Sequence, residues 1–255
     1  MTDRTLARRP FASVLVAAAL LVVGCAPSSF AGVRQPAEGP LAVIYDGPQG
    51  CPDCAPAIAK VLREAPQHYR VKYVKAAPKA SDLAEAKLYV QPGGGSDLER
   101  TWRDLKSSAE VVRTWVREGG SYLGLCFGAY LAGANPGFGL LPGDTNGYID
   151  SPGTTVPDAR DTVVRVKWKG KPRHMYFQDG PAFFLNKGAE ADVLATYPNG
   201  DAAVVVAPYG KGRVGVSGPH PEAGESWYAE KGLHNPDGIR FDLAYELIEA
   251  TAGRR

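Results

Sequence analysis

The chain lacks the features that mark a nucleic-acid binder, a membrane-spanning protein or a repeat array. Its formal net charge is only +2 over 255 residues. Arg4, Arg8 and Arg9 against Asp3 account for that excess, so the remainder is close to neutral. No basic face for a phosphate backbone follows from such a balance. The apolar run at residues 11–23 is too short to cross a bilayer. No internal repeat and no second domain boundary is visible. Cysteine and histidine are scarce, at four each. Only Cys51 and Cys54 lie close together, and His68 is too distant in sequence to complete a zinc site with them. Neither metal nor cofactor is implied. A hydrophobic content of 44% and a charged content of 22% are those of an ordinary globule with one sizeable α/β domain.

The first residues read as an export signal. The three arginines make a positive segment ahead of the apolar run, which stops at Val22-Val23-Gly24-Cys25. That ending resembles a bacterial lipobox, whose cysteine carries lipid and becomes the first mature residue. The expected organisation is a signal peptide at 1–24, lipidated Cys25 with a flexible tether at 25–40, and one domain at 41–255. Arg8-Arg9 fits either a twin-arginine signal or a plain positive segment. Residues 26–40, rich in Ala, Ser, Pro and Gly, have the composition of a tether. The protein is thus expected on the outer face of a bacterial cell membrane, held to the bilayer through Cys25.

Residues 41–45 form a continuous apolar run of the kind found in a buried parallel strand. Further strands are expected at 69–74, 88–91 and 121–125, with helices at 55–63 and 109–118 between them. Such alternation means a mostly parallel sheet with helices on both faces. The second half differs. Strand-like segments at 162–168, 174–177, 191–197, 202–207 and 213–217 follow one another with turns between, which suggests antiparallel strands added to the core sheet. An amphipathic helix over 241–250 closes the pattern.

The chemistry concentrates in two stretches. Gly124-Leu125-Cys126-Phe127-Gly128 follows an apolar strand and precedes the small-residue run Ala129-Tyr130-Leu131-Ala132. Glycines on both sides of one cysteine suit a nucleophile elbow, because they remove the Cβ atoms that a sharp strand-to-helix turn would crowd. A helix starting there would favour a thiolate, and the Phe127 N–H would face an oxyanion. His220-Pro221-Glu222 follows the strand at 213–217. Open α/β sheets build their sites at the carboxyl edge of the strands, so this loop is expected near the elbow. His220 would take the thiol proton and Glu222 would orient the ring. Pro92-Gly93-Gly94-Gly95-Ser96 ends another strand, and Gly93, Gly94 and Gly95 could supply a second oxyanion donor.

At these residues the chain resembles the class I glutamine amidotransferase superfamily. Within it, the chain is most similar to the domain at the N-terminus of eukaryotic biotin–protein ligases, which bacteria also carry alone. The resemblance rests on Pro92-Gly93-Gly94-Gly95, the elbow, Tyr176-Phe177-Gln178-Asp179-Gly180-Pro181 and His220-Pro221-Glu222. It implies a flavodoxin-like fold, with Cys126 as nucleophile, His220 as base and Glu222 as orienting acid. By the same analogy Gln178 and Asp179 contact substrate. Gly95 stands where the glutamine-using enzymes usually have proline, and Gly218-Pro219 where they usually have an aromatic residue or glutamine before the histidine.

Cys51-Pro52-Asp53-Cys54 reads as a structural disulfide or as a redox pair. His174 and His234 have no carboxylate at a useful spacing, and Trp227 and Tyr228 read as packing of the histidine loop. The function expected is hydrolysis or transfer of an amide's acyl group through a cysteinyl thioester, on a small-molecule or peptide substrate. The alternatives are a silent binding or scaffold lipoprotein of the same fold, and a redox role for Cys51 and Cys54.

Overall fold

A computed structural model of the chain describes Met1 and residues 39–95 and 97–253. The expected signal, Cys25 and nearly all of the tether lie outside the described residues, as does Ser96. In chain order the elements are β1 (Leu41–Tyr45), α1 (Cys54–Glu64), β2 (Arg70–Val74), α2 (Ala80–Leu83), β3 (Ala86–Gln91), α3 (Leu98–Leu105), α4 (Ala109–Arg117), β4 (Ser121–Leu125) and α5 (Phe127–Tyr130). They continue as β5 (Gly143–Gly147), β6 (Thr162–Trp168), β7 (Lys171–Phe177), β8 (Pro181–Leu185), β9 (Asp192–Thr196), β10 (Ala202–Tyr209), β11 (Gly212–Ser217), α6 (Glu225–Glu230) and α7 (Asp242–Ala252). No helix of the described residues is long and apolar enough to cross a membrane.

The strands join one sheet in the order β2-β1-β3-β4-β11-β10-β9-β6-β7, with β8 and β5 branching from β10. Strand alternation sends successive side chains to opposite faces, and each face has its own core. Ala42, Ile44, Leu88 and Val90 pack under α1 and α7, whose Ile58, Leu62, Leu247 and Ile248 fill that layer. Val43, Tyr45, Tyr89 and Tyr122 face the other way, towards Leu83 of α2, Leu105 of α3 and Val112 and Val116 of α4. Each such aliphatic side chain contributes about 1.5–3 kcal/mol on full burial. Helices therefore cover both faces of the early strands, as the alternating pattern requires.

The second half departs from a simple run of added antiparallel strands. β6, β7, β9 and β10 are antiparallel neighbours. β11 is also antiparallel to β10, but it is parallel to β4 on its other side. Strand order along the sequence carries no register, so this insertion was not legible in advance. Its consequence is functional: Ser217 sits opposite Leu125, and both strands end at one edge. β5 and β8 were not expected as strands. β5 reads Gly-Asp-Thr-Asn-Gly, with no apolar alternation, and β8 begins on Pro181, which reads as a turn. Proline is tolerated as the first residue of a strand.

Candidate active site

The elbow places Cys126 directly after β4 with φ +49° and ψ −105°. That left-handed φ is strained for a residue with a side chain and marks sites where geometry is enforced by the surroundings. The enforcement is visible. The Cys126 N–H donates to the Ser217 carbonyl at 2.8 Å, and the Cys126 carbonyl accepts from Ala129 and Tyr130 at 2.9 and 3.1 Å. A Cβ on Gly124 would lie 2.5 Å from the Gly128 carbonyl oxygen. A Cβ on Gly128 would overlap the Gln91 carbonyl at the end of β3. Tyr122 Oη, buried, holds the Gly128 carbonyl at 2.7 Å. Both glycines are thus required by close backbone approach. The helix expected after the elbow is a single turn, Phe127–Tyr130, so it offers little of the dipole first assigned to it.

His220 and Glu222 lie on the loop that leaves β11. His220 is 4% exposed and Glu222 1%. His220 Nδ1 and Glu222 Oε1 are 2.8 Å apart, which leaves Nε2 as the ring nitrogen available to Cys126, whose charge acts on the same imidazole. The loop is fixed by the His220 N–H donating to the Tyr176 carbonyl at 2.8 Å, and by Trp227, whose ring lies 5.1 Å from the imidazole. Tyr228 is buried and its Oη accepts from the Tyr176 N–H at 2.8 Å. Burial works to strip the ring of its proton. The charges of Cys126 and Glu222 and hydrogen bonds to both outweigh it and raise His220 to about 10. A histidine raised in this way stabilises the fold fully below its unfolded value of about 6.5, and that contribution fades as pH climbs towards 10. Glu222 Oε2 is buried with no partner among the described residues, so the side-chain hydrogen bond of this carboxylate is the one to His220.

Two cavities meet at Cys126. One, of about 310 Å³, is lined by Gly94, Gly95, Phe127, Tyr130, Gln178 and Asp179. The other, of about 180 Å³, also holds His220, together with the Cys51–Cys54 disulfide, Tyr176 and Trp227. Of the expected site residues, Cys126, His220, Gly93, Gly94, Gly95, Phe127, Gln178 and Asp179 line these two cavities, whereas Glu222 is buried and lines neither. Their parts differ from the expectation in two respects. The Gly95 N–H is already donated to the Gln49 carbonyl at 2.9 Å, so Gly95 lines the cavity without a free donor. Among the described residues neither the Gly94 nor the Phe127 N–H finds an acceptor. Gln178 is exposed, and it is its backbone carbonyl that accepts from Cys126 Sγ, at 3.4 Å.

Asp179 is half-buried with φ +50°, and burial followed by the charge of Asp150 pushes its carboxyl up. Tyr130, which carried no assigned role, donates from Oη to the Asp179 carbonyl at 3.2 Å. Its place four residues after Cys126, one helical turn on, was the available signal. His174, which has no carboxylate at a useful spacing in sequence, has one in space: its Nδ1 lies 3.3 Å from Asp237 Oδ1. That pair spans 63 residues of sequence, beyond the reach of spacing arguments.

Cys51 and Cys54 form a disulfide with Cα atoms 5.4 Å apart. It closes the turn that grips the glycine loop: the Cys51 N–H donates to the Gly93 carbonyl at 3.4 Å, and Gly50 bridges Gly94. Cys126 is the free cysteine among the described residues.

The fold is that of the glutamine amidotransferases. It is similar to PurLQS from Thermotoga maritima, with a TM-score of 0.55 and 16% identity over 74% of this chain and 92% of that one. It is likewise similar to a glutamine amidotransferase from Methylobacillus flagellatus, with a TM-score of 0.52 and 15% identity over 76% of this chain and 74% of that one. At these identities the likeness is one of fold. Within that fold, residues 41–144 match the family described as biotin-protein ligase, N terminal. The same relationship appears with the biotin–protein ligase of Schizosaccharomyces pombe, 30% identical over 164 residues, which are 54% of this chain and 26% of the ligase. The chain thus spans about a quarter of that relative's length. Cys126 lies inside the matched domain, and His220 and Glu222 lie beyond it.

Proposed function

We propose that this protein is a cysteine-nucleophile amidase or acyl-transfer enzyme, exported and held to the outer face of a bacterial membrane through lipid on Cys25. The observation that carries the chemistry is the convergence of a strained Cys126 and the buried His220–Glu222 pair, 2.8 Å apart, on one cleft. In this reading the Cys126 thiol leaves the Gln178 carbonyl and passes its proton to His220, giving a thiolate–imidazolium pair with Glu222 holding the ring in place. The thiolate adds to the amide carbonyl carbon. The oxyanion forms where the Gly94 and Phe127 N–H groups are unclaimed. His220 lines only the smaller cavity, so the leaving nitrogen departs on that side. The imidazolium protonates it as the C–N bond breaks, leaving a thioester on Cys126. Neutral His220 then takes a proton from water, or from another nucleophile, that attacks the thioester.

The test is to mix the protein with a panel of amides, quench in acid and weigh the intact chain. An acyl group replacing the thiol hydrogen, removed by hydroxylamine and missing in Cys126→Ala, is the expected result. No adduct from any amide, or one that persists in Cys126→Ala, would return the protein to the scaffold reading.

A further inference from the structure

The cleft around Cys126 has a charge bias that the chain as a whole does not. Asp179 is the only ionisable side chain besides Cys126 and Tyr130 among the described residues lining the larger cavity. No hydrogen-bond donor reaches its carboxylate among the described residues. The smaller cavity adds Asp53, Asp161 and Glu230 against Lys231 and the His220 imidazolium; Lys231 is already paired with Asp161 at 3.2 Å and His220 with Glu222 at 2.8 Å. Tyr176 Oη also donates to Asp161. Asp179 is therefore the carboxylate left without a partner on the side where the acyl group would rest. A carboxylate half out of water and unpaired is matched by a cation and opposed by an anion. Glutamine presents a carboxylate as well as an amine, and the larger cavity offers no lysine or arginine to receive it.

We propose that the acyl donor carries a protonated amine and no carboxylate near its reacting carbonyl, and that Asp179 is the residue that selects for it. The inference rests on the cysteine-nucleophile reading. Asp179 is held in place by its own backbone: Tyr130 Oη caps its carbonyl and Gln178, its neighbour, meets the Cys126 sulfur. Asparagine tolerates the same left-handed conformation, so Asp179→Asn removes the charge while keeping the backbone.

Three alkylating probes of different charge test this without knowledge of the substrate. Each forms a carbon–sulfur bond to Cys126 and releases halide: 2-bromoethylammonium, iodoacetamide and iodoacetate. Rates are taken relative to a neutral thiol, N-acetylcysteinamide, in the same buffer. The expected order of relative rates is cation, then neutral, then anion, with the cation favoured over the anion by at least tenfold. Asp179→Asn should reduce that preference roughly 1.5- to fivefold, the range of one solvent-accessible charge contact. Equal acceleration of all three probes would leave the nucleophile standing and overturn the cation inference. A preference unchanged in Asp179→Asn would overturn the assignment to Asp179. No acceleration of any probe over the neutral thiol would overturn the nucleophile reading, and this one with it.

Discussion

The His220→Ala variant should be alkylated by iodoacetamide with a rate that climbs nearly a hundredfold from pH 6.5 to pH 9, whereas the wild-type rate should change by less than about fivefold. The contrast follows from what ionises the sulfur. An unassisted cysteine ionises near 8.5, so roughly one molecule in a hundred is a thiolate at pH 6.5 and most are at pH 9. In the wild type the imidazolium is adjacent at both pH values, because His220 is raised to about 10 by the charges of Cys126 and Glu222 against the opposing effect of burial. The difference is largest at pH 6.5, where the variant has no imidazolium beside the sulfur. About five- to tenfold over the variant is expected there. The slope of the profile, read by mass spectrometry of the alkylated chain, is the sharper measure. Parallel profiles for the two proteins would remove His220 from the chemistry.

Gly128→Ala should destabilise the fold by about 3 kcal/mol or more, at the upper end of overpacking effects. The added methyl would run into the Gln91 carbonyl, a backbone atom at the end of a central strand with no side-chain freedom to yield. Relief requires the elbow to move off β3, and the elbow is tied to β11 through the Cys126–Ser217 hydrogen bond and to Tyr122 through the Gly128 carbonyl. A urea-denaturation midpoint shifted by the equivalent of less than about 1 kcal/mol would contradict this packing. A variant that still folds should also lose the Cys126 reactivity, since the strained φ of +49° depends on the same contacts.

Much of this was legible in the sequence, for physical reasons that differ between elements. Continuous apolar runs such as Leu41–Tyr45 declare buried parallel strands because both faces are covered. The elbow was legible because two glycines mark two close approaches of backbone. β5 and β8 were hidden: one has no apolar side chains to alternate and the other opens on proline. The parallel seat of β11 beside β4 was hidden because pairing is decided in space. The same holds for the His174–Asp237 contact. The strain at Asp179 and the commitment of the Gly95 N–H to Gln49 are consequences of loop paths that residue types alone do not fix.

The account stands on a proton shared between Cys126 and His220, and the imidazole can be watched directly. The chain has four histidines, so the ring nitrogens of His220 can be assigned in ¹⁵N spectra by comparison with His220→Ala. The account predicts a ring that stays an imidazolium from neutral pH until about pH 10, and that loses its proton at much lower pH in Cys126→Ala, where burial meets only the charge of Glu222. A His220 ring already neutral at pH 7.5 in the wild type, with no response to Cys126→Ala, would contradict it.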